Sequence, residues 1–215
     1  MEMKKNHTDN YELVYEHDRL IFLDMDFKSL ALRTGLSFTG DGQYLLLPVL
    51  DKCYMVSTSD GSIFDQAHPD AEVPVHTRLL LIHYLIYAKD TAAVTGEEIP
   101  FHSIRGVSHF EAAFIRETIP PLKKAFEGHT DRFIQAGKAL HGTICTYGDA
   151  SVRLQLFPLI AITYILWEGD DEFPMNINVL FDKGITDCTH PEDVPVLGSY
   201  GAKQLIEASL SIGHV

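Results

Sequence analysis

The first third of the chain changes from a helical to a strand-like pattern of apolar residues. Residues 26–35 are typical of a short helix, because Asp26 is a suitable N-terminal cap and Gly35 stands where a left-handed residue ends a helix. Aromatic and β-branched residues dominate the segment 36–64, which two glycine-containing turns interrupt. This pattern predicts an antiparallel β-meander of three or four short strands. The turns are Gly40-Asp41-Gly42 and Ser59-Asp60-Gly61.

The centre of the chain is predicted to be helical. Residues 75–89 are apolar on almost every side, as is typical of a helix inside a core. A serine and a glutamate three residues apart open a second helix over 108–119, and Pro120-Pro121 are expected to stop it. Further short helices are expected over 121–126 and 130–142.

The last third returns to strands and ends in a helix. Two apolar strands, 150–156 and 159–167, are separated by a proline, and a C-terminal helix is expected over 191–210. Strands and helices cluster instead of alternating, which favours the α+β class over a doubly wound sheet. We expect one domain over 1–215, with an irregular tail at 1–10.

The charge balance limits the possible partners. Lysine and arginine number 17 and aspartate and glutamate 30, which gives a formal net charge of −13. Phosphate backbones are bound by clustered basic residues, and here only Lys4-Lys5 and Lys123-Lys124 are adjacent. We therefore expect no nucleic-acid partner. A cationic small molecule, a metal ion or a protein partner stays open.

Cysteine usage and hydropathy predict the cellular setting. Three cysteines without a CxxC pair argue against a disulfide framework and favour a reducing cytoplasm. The longest apolar run, 154–167, has 14 residues, where about 20 are needed to cross a bilayer. The polar N-terminus has no signal-peptide pattern. We expect a cytoplasmic protein with no membrane partner.

Carboxylates cluster after the second of the late strands. Asp170, Asp171 and Glu172 form an acidic turn, and Asp182 follows within 13 residues. Hard divalent cations prefer carboxylate oxygens, so these four residues are the predicted metal ligands. The alternative is a solvated turn, which is common on an acidic protein.

Polar and aromatic residues beside the most apolar segments form the predicted ligand site. His83 and Tyr84 lie on the apolar helix, while Trp167 and Phe173 offer aromatic walls for a flat ligand. Arg116 is a single cation in an apolar helix and is either an anion ligand or a buried ion-pair partner. For His83 the alternative is a core histidine whose ring binds a backbone carbonyl.

Two other functions stay open. The run 20–26 ends in Asp24-Met25-Asp26 and resembles the first motif of haloacid-dehalogenase-like phosphohydrolases, whose aspartates act as nucleophile and acid–base. With Asp170 and Asp171 as metal ligands, this pattern predicts a metal-dependent phosphohydrolase. The third reading is a non-catalytic interaction subunit that presents its C-terminal helix and residues 99–101 as apolar surface.

Two stretches carry a resemblance to a known family. The first is LLLIHYLIYAK at 79–89 followed by TGEEIPF at 95–101, and the second is WEGDDEFP at 167–174 followed by NVLFD at 178–182. Together they resemble a prokaryotic family of unknown function, domain of unknown function family 3786, over nearly the whole chain.

The resemblance implies a metabolic context but no catalytic residues. The family occurs largely in anaerobes, and some relatives carry an iron–sulfur module of the kind found in corrinoid methyl-transfer proteins. This implies an accessory protein near corrinoid, one-carbon or iron–sulfur metabolism that binds a small molecule, cofactor or metal. The candidate cofactors are a divalent metal, from the carboxylates, and a corrinoid, from the resemblance.

Overall fold

The computed structural model describes residues 2–212 and has the α+β architecture that the sequence predicts. The chain forms two compact units, each with one antiparallel sheet. The first unit comprises the residues up to Ala93 with Asp187–His190, and the second comprises Val94–Thr186 with the residues from Pro191 onward. No helix within 2–212 is long and apolar enough to cross a membrane. The expected single domain stays a prediction.

The first unit combines three helices with a four-stranded sheet. Helix α1 packs against α3 and buries Tyr15 and Phe22. Residues 2–10, expected to be an irregular tail, belong to α1, and Met1 lies outside the described residues. The elements are α1 (Glu2–Leu23), α2 (Phe27–Thr34), β1 (Ser37–Phe38), β2 (Tyr44–Val49), β3 (Lys52–Ser57), β4 (Ile63–Asp65) and α3 (Val75–Tyr87).

The predicted meander is confirmed, with strand order β1-β2-β3-β4 and antiparallel pairing throughout. In β2 the buried side chains Leu45, Leu47 and Val49 alternate with more exposed ones, which is the two-residue period of a strand with one buried face. The two glycine-containing turns lie between β1 and β2 and between β3 and β4, as the sequence predicts.

The predicted caps of α2 are also confirmed. The Asp26 side chain accepts hydrogen bonds from the backbone N–H groups of Lys28 and Ser29, which have no partner inside the helix. Gly35 ends the helix with φ +70° and donates its backbone N–H to the carbonyl of Ala31.

Removing this cap is expected to destabilise the protein modestly. Asp26→Ala leaves the two N–H groups without their side-chain acceptor, which costs about 1 kcal/mol of unfolding free energy. Urea unfolding followed by circular dichroism measures the loss. Asp24→Ala is the matched control, because it removes a nearby carboxylate that caps no helix, and it should change stability by less than about 0.5 kcal/mol. Equal losses in the two variants would show that the cap contributes nothing.

The second unit places three helices on one face of a five-stranded antiparallel sheet with order β5-β9-β8-β7-β6. Strands β7 and β8 correspond to the two predicted late strands, and they pair as a hairpin that a two-residue turn at 158–159 closes. The elements are β5 (Glu98–Pro100), α4 (Glu111–Phe126), α5 (Thr130–Ala139), β6 (Thr143–Cys145), β7 (Ala150–Phe157), β8 (Ile160–Trp167), β9 (Asn176–Asp182) and α6 (Asp193–Ile212).

Helix α4 corrects one prediction. Pro120 and Pro121 lie inside the helix instead of ending it, and no side chain caps its start at Glu111. Proline removes an N–H donor from the helix, which normally destabilises it. Here side chains on both sides of the prolines are buried at a four-residue spacing, and this packing holds the helix together. They are Phe114, Thr118, Leu122 and Phe126.

An aromatic cluster forms the core between α4 and β9. Phe101 stacks on Phe114 with ring centroids 4.3 Å apart, and the edge of Phe181 contacts both rings. Residues 99–101, predicted as apolar interaction surface, therefore include a core residue, because Phe101 is buried. Val196 and Leu210 on α6 are exposed, so the helical part of that predicted surface is accessible.

Candidate functional site

The predicted site residues fall in different units of the chain. His83 and Tyr84 lie on α3 in the first unit. The remaining predicted residues all lie in the second unit. They are Arg116, Trp167, Asp170, Asp171, Glu172, Phe173 and Asp182.

His83 is held by a buried carboxylate. Its Nε2 lies 2.8 Å from Oδ2 of Asp18, which is on α1, and the other oxygen of Asp18 lies 3.0 Å from Nδ1 of His17. Asp18 is almost fully buried, and its two oxygens each meet an imidazole nitrogen. One partner of His83 is therefore a side-chain carboxylate.

Asp182 is a structural carboxylate at the end of β9. Its Oδ1 accepts hydrogen bonds from the backbone N–H and hydroxyl of Thr95 and from the N–H of Gly184, and its Oδ2 accepts one from the N–H of Gly96. Arg153 lies 3.7 Å from Oδ2. Burial raises the pKa of Asp182, but the hydrogen bonds from these backbone N–H groups outweigh burial and lower the pKa below its ordinary value.

Arg153 links Asp182 to a second acidic residue on the same face of the sheet. Its Nη1 donates to Glu98 at 2.8 Å, and the hydroxyl of Thr163 donates to the same carboxylate oxygen of Glu98. The charge of Glu98 also raises the pKa of the neighbouring Tyr147 hydroxyl. The network joins β5, β7, β8 and β9, so its first role is to hold the sheet together.

The acidic turn is locally folded and exposed. Oδ1 of Asp170 accepts hydrogen bonds from the backbone N–H groups of Glu172 and Phe173, and these bonds lower its pKa. Asp171 and Glu172 are exposed. Asp170 and Phe173 line a recess of about 340 Å³, which we call the acidic recess. Its other lining residues are Glu127, Gly128, Glu168, Gly169, Pro174 and Met175.

The metal site predicted at these carboxylates has no support in the part of the chain that the structure describes. Within the described residues no group of three or more histidine, cysteine, aspartate or glutamate side chains is arranged to hold a metal ion. The oxygens of Asp182 already accept four hydrogen bonds from the chain, and Oδ1 of Asp170 accepts two. Neither carboxylate presents the set of unoccupied oxygens that a hard cation requires.

Arg116 and Trp167 are both accessible. Arg116 is exposed and forms an ion pair with Glu117 at 2.8 Å, so it is not the buried cation that the apolar neighbours predict. The reason is the helical period of α4, because residues at 114 and 118 face the core and place 116 on the opposite side. Trp167 lies at the end of β8 with about half of its side chain exposed.

The phosphohydrolase reading has no structural support. Residues 20–23 form the last turn of α1 and not the strand that carries the first motif in that family, and Asp26 is engaged as the cap of α2. The sequence signal fails because a four-residue apolar run fits the buried stripe of a helix as well as a strand.

A larger recess lies in the first unit, at residues that sequence reasoning missed. It has a volume of about 600 Å³, within the range of small-molecule sites, and we call it the Arg78 recess. The lining comes from α1, the β3–β4 turn, β4, the loop before α3, and α3 itself. It consists of Tyr15, Glu16, Arg19, Asp60, Ser62, Ile63, Phe64, Pro69, Asp70, Ala71, Glu72, Val73 and Arg78.

The floor of the Arg78 recess is rigidly held. The guanidinium of Arg78 lies 4.5 Å from the ring centroid of Tyr15, donates to the carbonyl of Val73 and pairs with Glu12 at 2.6 Å. The Tyr15 hydroxyl donates to the carbonyl of Gly61 at 3.1 Å. Burial raises the pKa of Tyr15, although the neighbouring Arg78 opposes the shift. The aromatic ring and the guanidinium therefore fix each other.

The wall formed by the β3–β4 turn is equally constrained. Arg19 pairs with Glu16 at 2.7 Å and donates to the backbone carbonyl of Asp60. Gly61 has φ +71°, and a Cβ there would lie 2.6 Å from Cγ of Arg19, so only glycine fits. Hydrogen bonds from the hydroxyl and backbone N–H of Ser62 lower the pKa of Asp60 to about 2. This carboxylate stays ionised at neutral pH.

The sequence alone identifies only part of the lining of the Arg78 recess. The Ser59-Asp60-Gly61 turn is identified from its residue types, but nothing local relates it to Tyr15 or Arg78. Arg78 has the same signal as Arg116, a single cation on an apolar helix, and only tertiary packing separates the buried guanidinium from the exposed one.

The fold and these recesses define an α+β protein with concave, charged sites on separate compact units. Residues 26–204 match the family described as Domain of unknown function (DUF3786). The chain therefore belongs to this family, and the family prediction is confirmed. The match includes both stretches that carried the resemblance. No curated protein and no solved structure matches the chain.

Proposed function

We propose that this protein binds a small organic cation, such as an amine, in the Arg78 recess. The observation that carries the proposal is the excess of carboxylates in the lining, where four acidic side chains accompany two guanidinium groups. Both guanidinium groups are already paired, Arg19 with Glu16 and Arg78 with Glu12. The unpaired charge at the recess is therefore negative.

Three carboxylates supply this negative charge. Among the side chains that the structure describes, Asp70 and Glu72 have no hydrogen-bond or ion-pair partner, and Asp60 is ionised at neutral pH. Phe64 and the apolar part of the lining provide a surface for the hydrocarbon part of a ligand. An ammonium group pairs with these carboxylates, and the net charge of −13 on the whole chain further favours a cation.

Calorimetric titration of the full chain tests the proposal with three probes: 1,4-diaminobutane, choline and acetate. We expect saturable binding of at least one of the two cations, weakened by added salt because exposed charges are screened. No binding is expected for acetate. Binding of acetate in preference to both cations would reverse the predicted charge of the ligand, and binding of neither cation would remove the proposed function.

The variant Asp70→Asn/Glu72→Gln tests the location of the site. Each exposed carboxylate contributes up to about 1 kcal/mol to pairing with a cation, so the double variant should bind the cationic probe about tenfold more weakly. Asp51→Asn is the matched control, because it removes an exposed carboxylate outside the recess lining, and it should change affinity less than twofold. Equal weakening by the control would point to non-specific charge attraction.

The acidic recess is a second candidate for the same class of ligand. It is favoured by Glu127, Glu168 and Asp170, which surround the exposed ring of Phe173. The two sites are distinguished by Glu127→Gln/Glu168→Gln. If this variant lowers affinity and the Asp70→Asn/Glu72→Gln variant does not, the cation binds at the acidic recess and the Arg78 recess is excluded.

The accessory role near corrinoid, one-carbon or iron–sulfur metabolism stays an implication of the family resemblance. The recesses support a small-molecule ligand of cationic character, and they do not select among these three areas of metabolism.

A further inference from the structure

Helix α1 carries an apolar surface that no described residue covers. Four large side chains are exposed on it: Leu13 (69%), Val14 (45%), Leu20 (61%) and Ile21 (42%). A fifth, His17, lies between them with its side chain 74% exposed. We call these five residues the α1 stripe. The opposite side of the helix, with Tyr15 and Phe22, is buried and packs toward α3.

The α1 stripe is a continuous face. At 100° per residue, the five positions fall within about 60° on either side of His17. Leu13 and Leu20 are seven residues apart, as are Val14 and Ile21, so each pair lies two turns apart on the same line. This spacing is typical of helices that pack lengthwise against another helix.

The order of residues along the stripe is the same in both directions. Counting outward from His17, apolar residues stand three and four positions away on each side. Seven residues from His17 the residue is polar on each side: Asn10 on α1, and Asp24, which follows the last residue of the helix. A surface of this symmetry is complementary to itself when a second copy is turned by 180°.

We propose that the α1 stripe is a dimer interface at which two copies of this chain pair their α1 helices in antiparallel orientation. With His17 near the two-fold axis, Leu13 faces Ile21 of the second copy and Val14 faces its Leu20. Every apolar position meets an apolar position.

The size of the stripe sets the strength of the association. Residues 10–23 of α1 span about 21 Å, and one helix pair of that length buries less than the roughly 800 Å² per partner of a standard stable interface. The dimer is therefore weak and concentration-dependent.

Sedimentation of the full chain over about 1–500 µM tests the interface, since this range spans weak association. The mean mass of the natural protein should rise with concentration toward that of a dimer. Leu20→Glu should weaken association at least tenfold, because it places a charge in the apolar contact. Leu32→Glu is the matched control: Leu32 is 86% exposed on α2, outside the stripe, and this variant should dimerise like the natural protein.

A mixing experiment tests the orientation. Leu13→Glu and Ile21→Lys should each be monomeric alone, because either change places two unpaired charges in the homodimer. In an equimolar mixture, position 13 of one variant faces position 21 of the other, so one Glu–Lys pair and one apolar pair form and the dimer is restored.

Circular dichroism checks that each variant is folded. Because the substituted side chains are exposed, all variants should retain the natural helical signal. A natural protein that stays monomeric at the highest concentration, or a dimer that Leu32→Glu abolishes and Leu20→Glu does not, would overturn the proposal. A mixture that remains monomeric would overturn the antiparallel arrangement.

Discussion

Asp182→Asn is expected to lower the free energy of unfolding by about 3 kcal/mol, the largest effect among the substitutions proposed for this chain. The Asp182 carboxylate is buried and accepts hydrogen bonds from Thr95, Gly96 and Gly184. The amide of asparagine replaces one acceptor oxygen with a donor, which then faces N–H groups that also donate. It also leaves Arg153 without part of its counter-charge.

Urea unfolding of the full chain at neutral pH measures this loss. Glu97→Gln is the matched control, because Glu97 forms an exposed ion pair with Lys183 at 2.9 Å in the same region of the unit. Exposed pairs contribute little, so this variant should lose less than about 1 kcal/mol. If Asp182→Asn loses no more than the control, the buried hydrogen bonds of Asp182 are not a source of stability.

The same residue gives a pH dependence with a defined sign. The folded protein lowers the pKa of Asp182 below its ordinary value of 3.8, so the folded state binds this proton less readily than the unfolded chain. The contribution of the carboxylate is therefore fully present above the ordinary pKa and is lost as the pH falls through the lowered one. The stability difference between the natural protein and Asp182→Asn should narrow below about pH 4. A difference that grows on acidification would contradict the lowered pKa.

Gly201→Ala is expected to have the second-largest effect, a loss of about 2 kcal/mol. A Cβ on Gly201 would overlap the hydroxyl oxygen of Tyr164, because the two atoms would be closer than van der Waals contact allows. Tyr164 is fully buried and its hydroxyl donates to the carbonyl of Gly198 at 2.7 Å, so the ring cannot move away freely. The overlap outweighs the gain of about 1 kcal/mol that alanine normally gives inside a helix.

A double variant isolates the cause. Tyr164→Phe alone should cost about 1 kcal/mol, because the Gly198 carbonyl loses its donor. Combined with Gly201→Ala it should recover most of the loss, since the atom that overlaps the new methyl group is gone. Simple additivity of the two losses would contradict the steric explanation.

Gly40→Ala is the control for the glycine substitution itself. At Gly40 no atom lies within 4 Å of the position that a Cβ would occupy, and φ is not positive, so alanine there should change stability by less than about 0.5 kcal/mol. Thermal unfolding of the four variants and the natural protein completes the comparison.

The elements that could be predicted from the sequence are those whose signals are local. The caps of α2 at Asp26 and Gly35, the meander of β1–β4 and the existence of strands β7 and β8 all follow from residue types within a few positions of one another. Such signals act through φ/ψ preferences and short-range hydrogen bonds, which do not depend on the rest of the fold.

The predictions that fail concern residues whose structure depends on tertiary contacts. Helix α1 has a polar first half, and the prolines of α4 normally end a helix. The buried contacts of Phe22 on α1 and of Leu122 on α4 outweigh these local preferences. Arg116 and Arg78 have the same local surroundings in sequence, yet one is exposed and the other forms the floor of a recess.

By itself, the sequence determined the α+β class, the family, the negative charge and the helices and strands with local caps and turns. It also contained the symmetric order of the α1 stripe, although only the exposure of that face distinguishes it from a core helix. Tertiary structure alone decided which charges are paired, because Asp18 with His83 and Glu12 with Arg78 are more than sixty residues apart in sequence. Pairing at that separation depends on how whole helices pack, and no local pattern of residues encodes it.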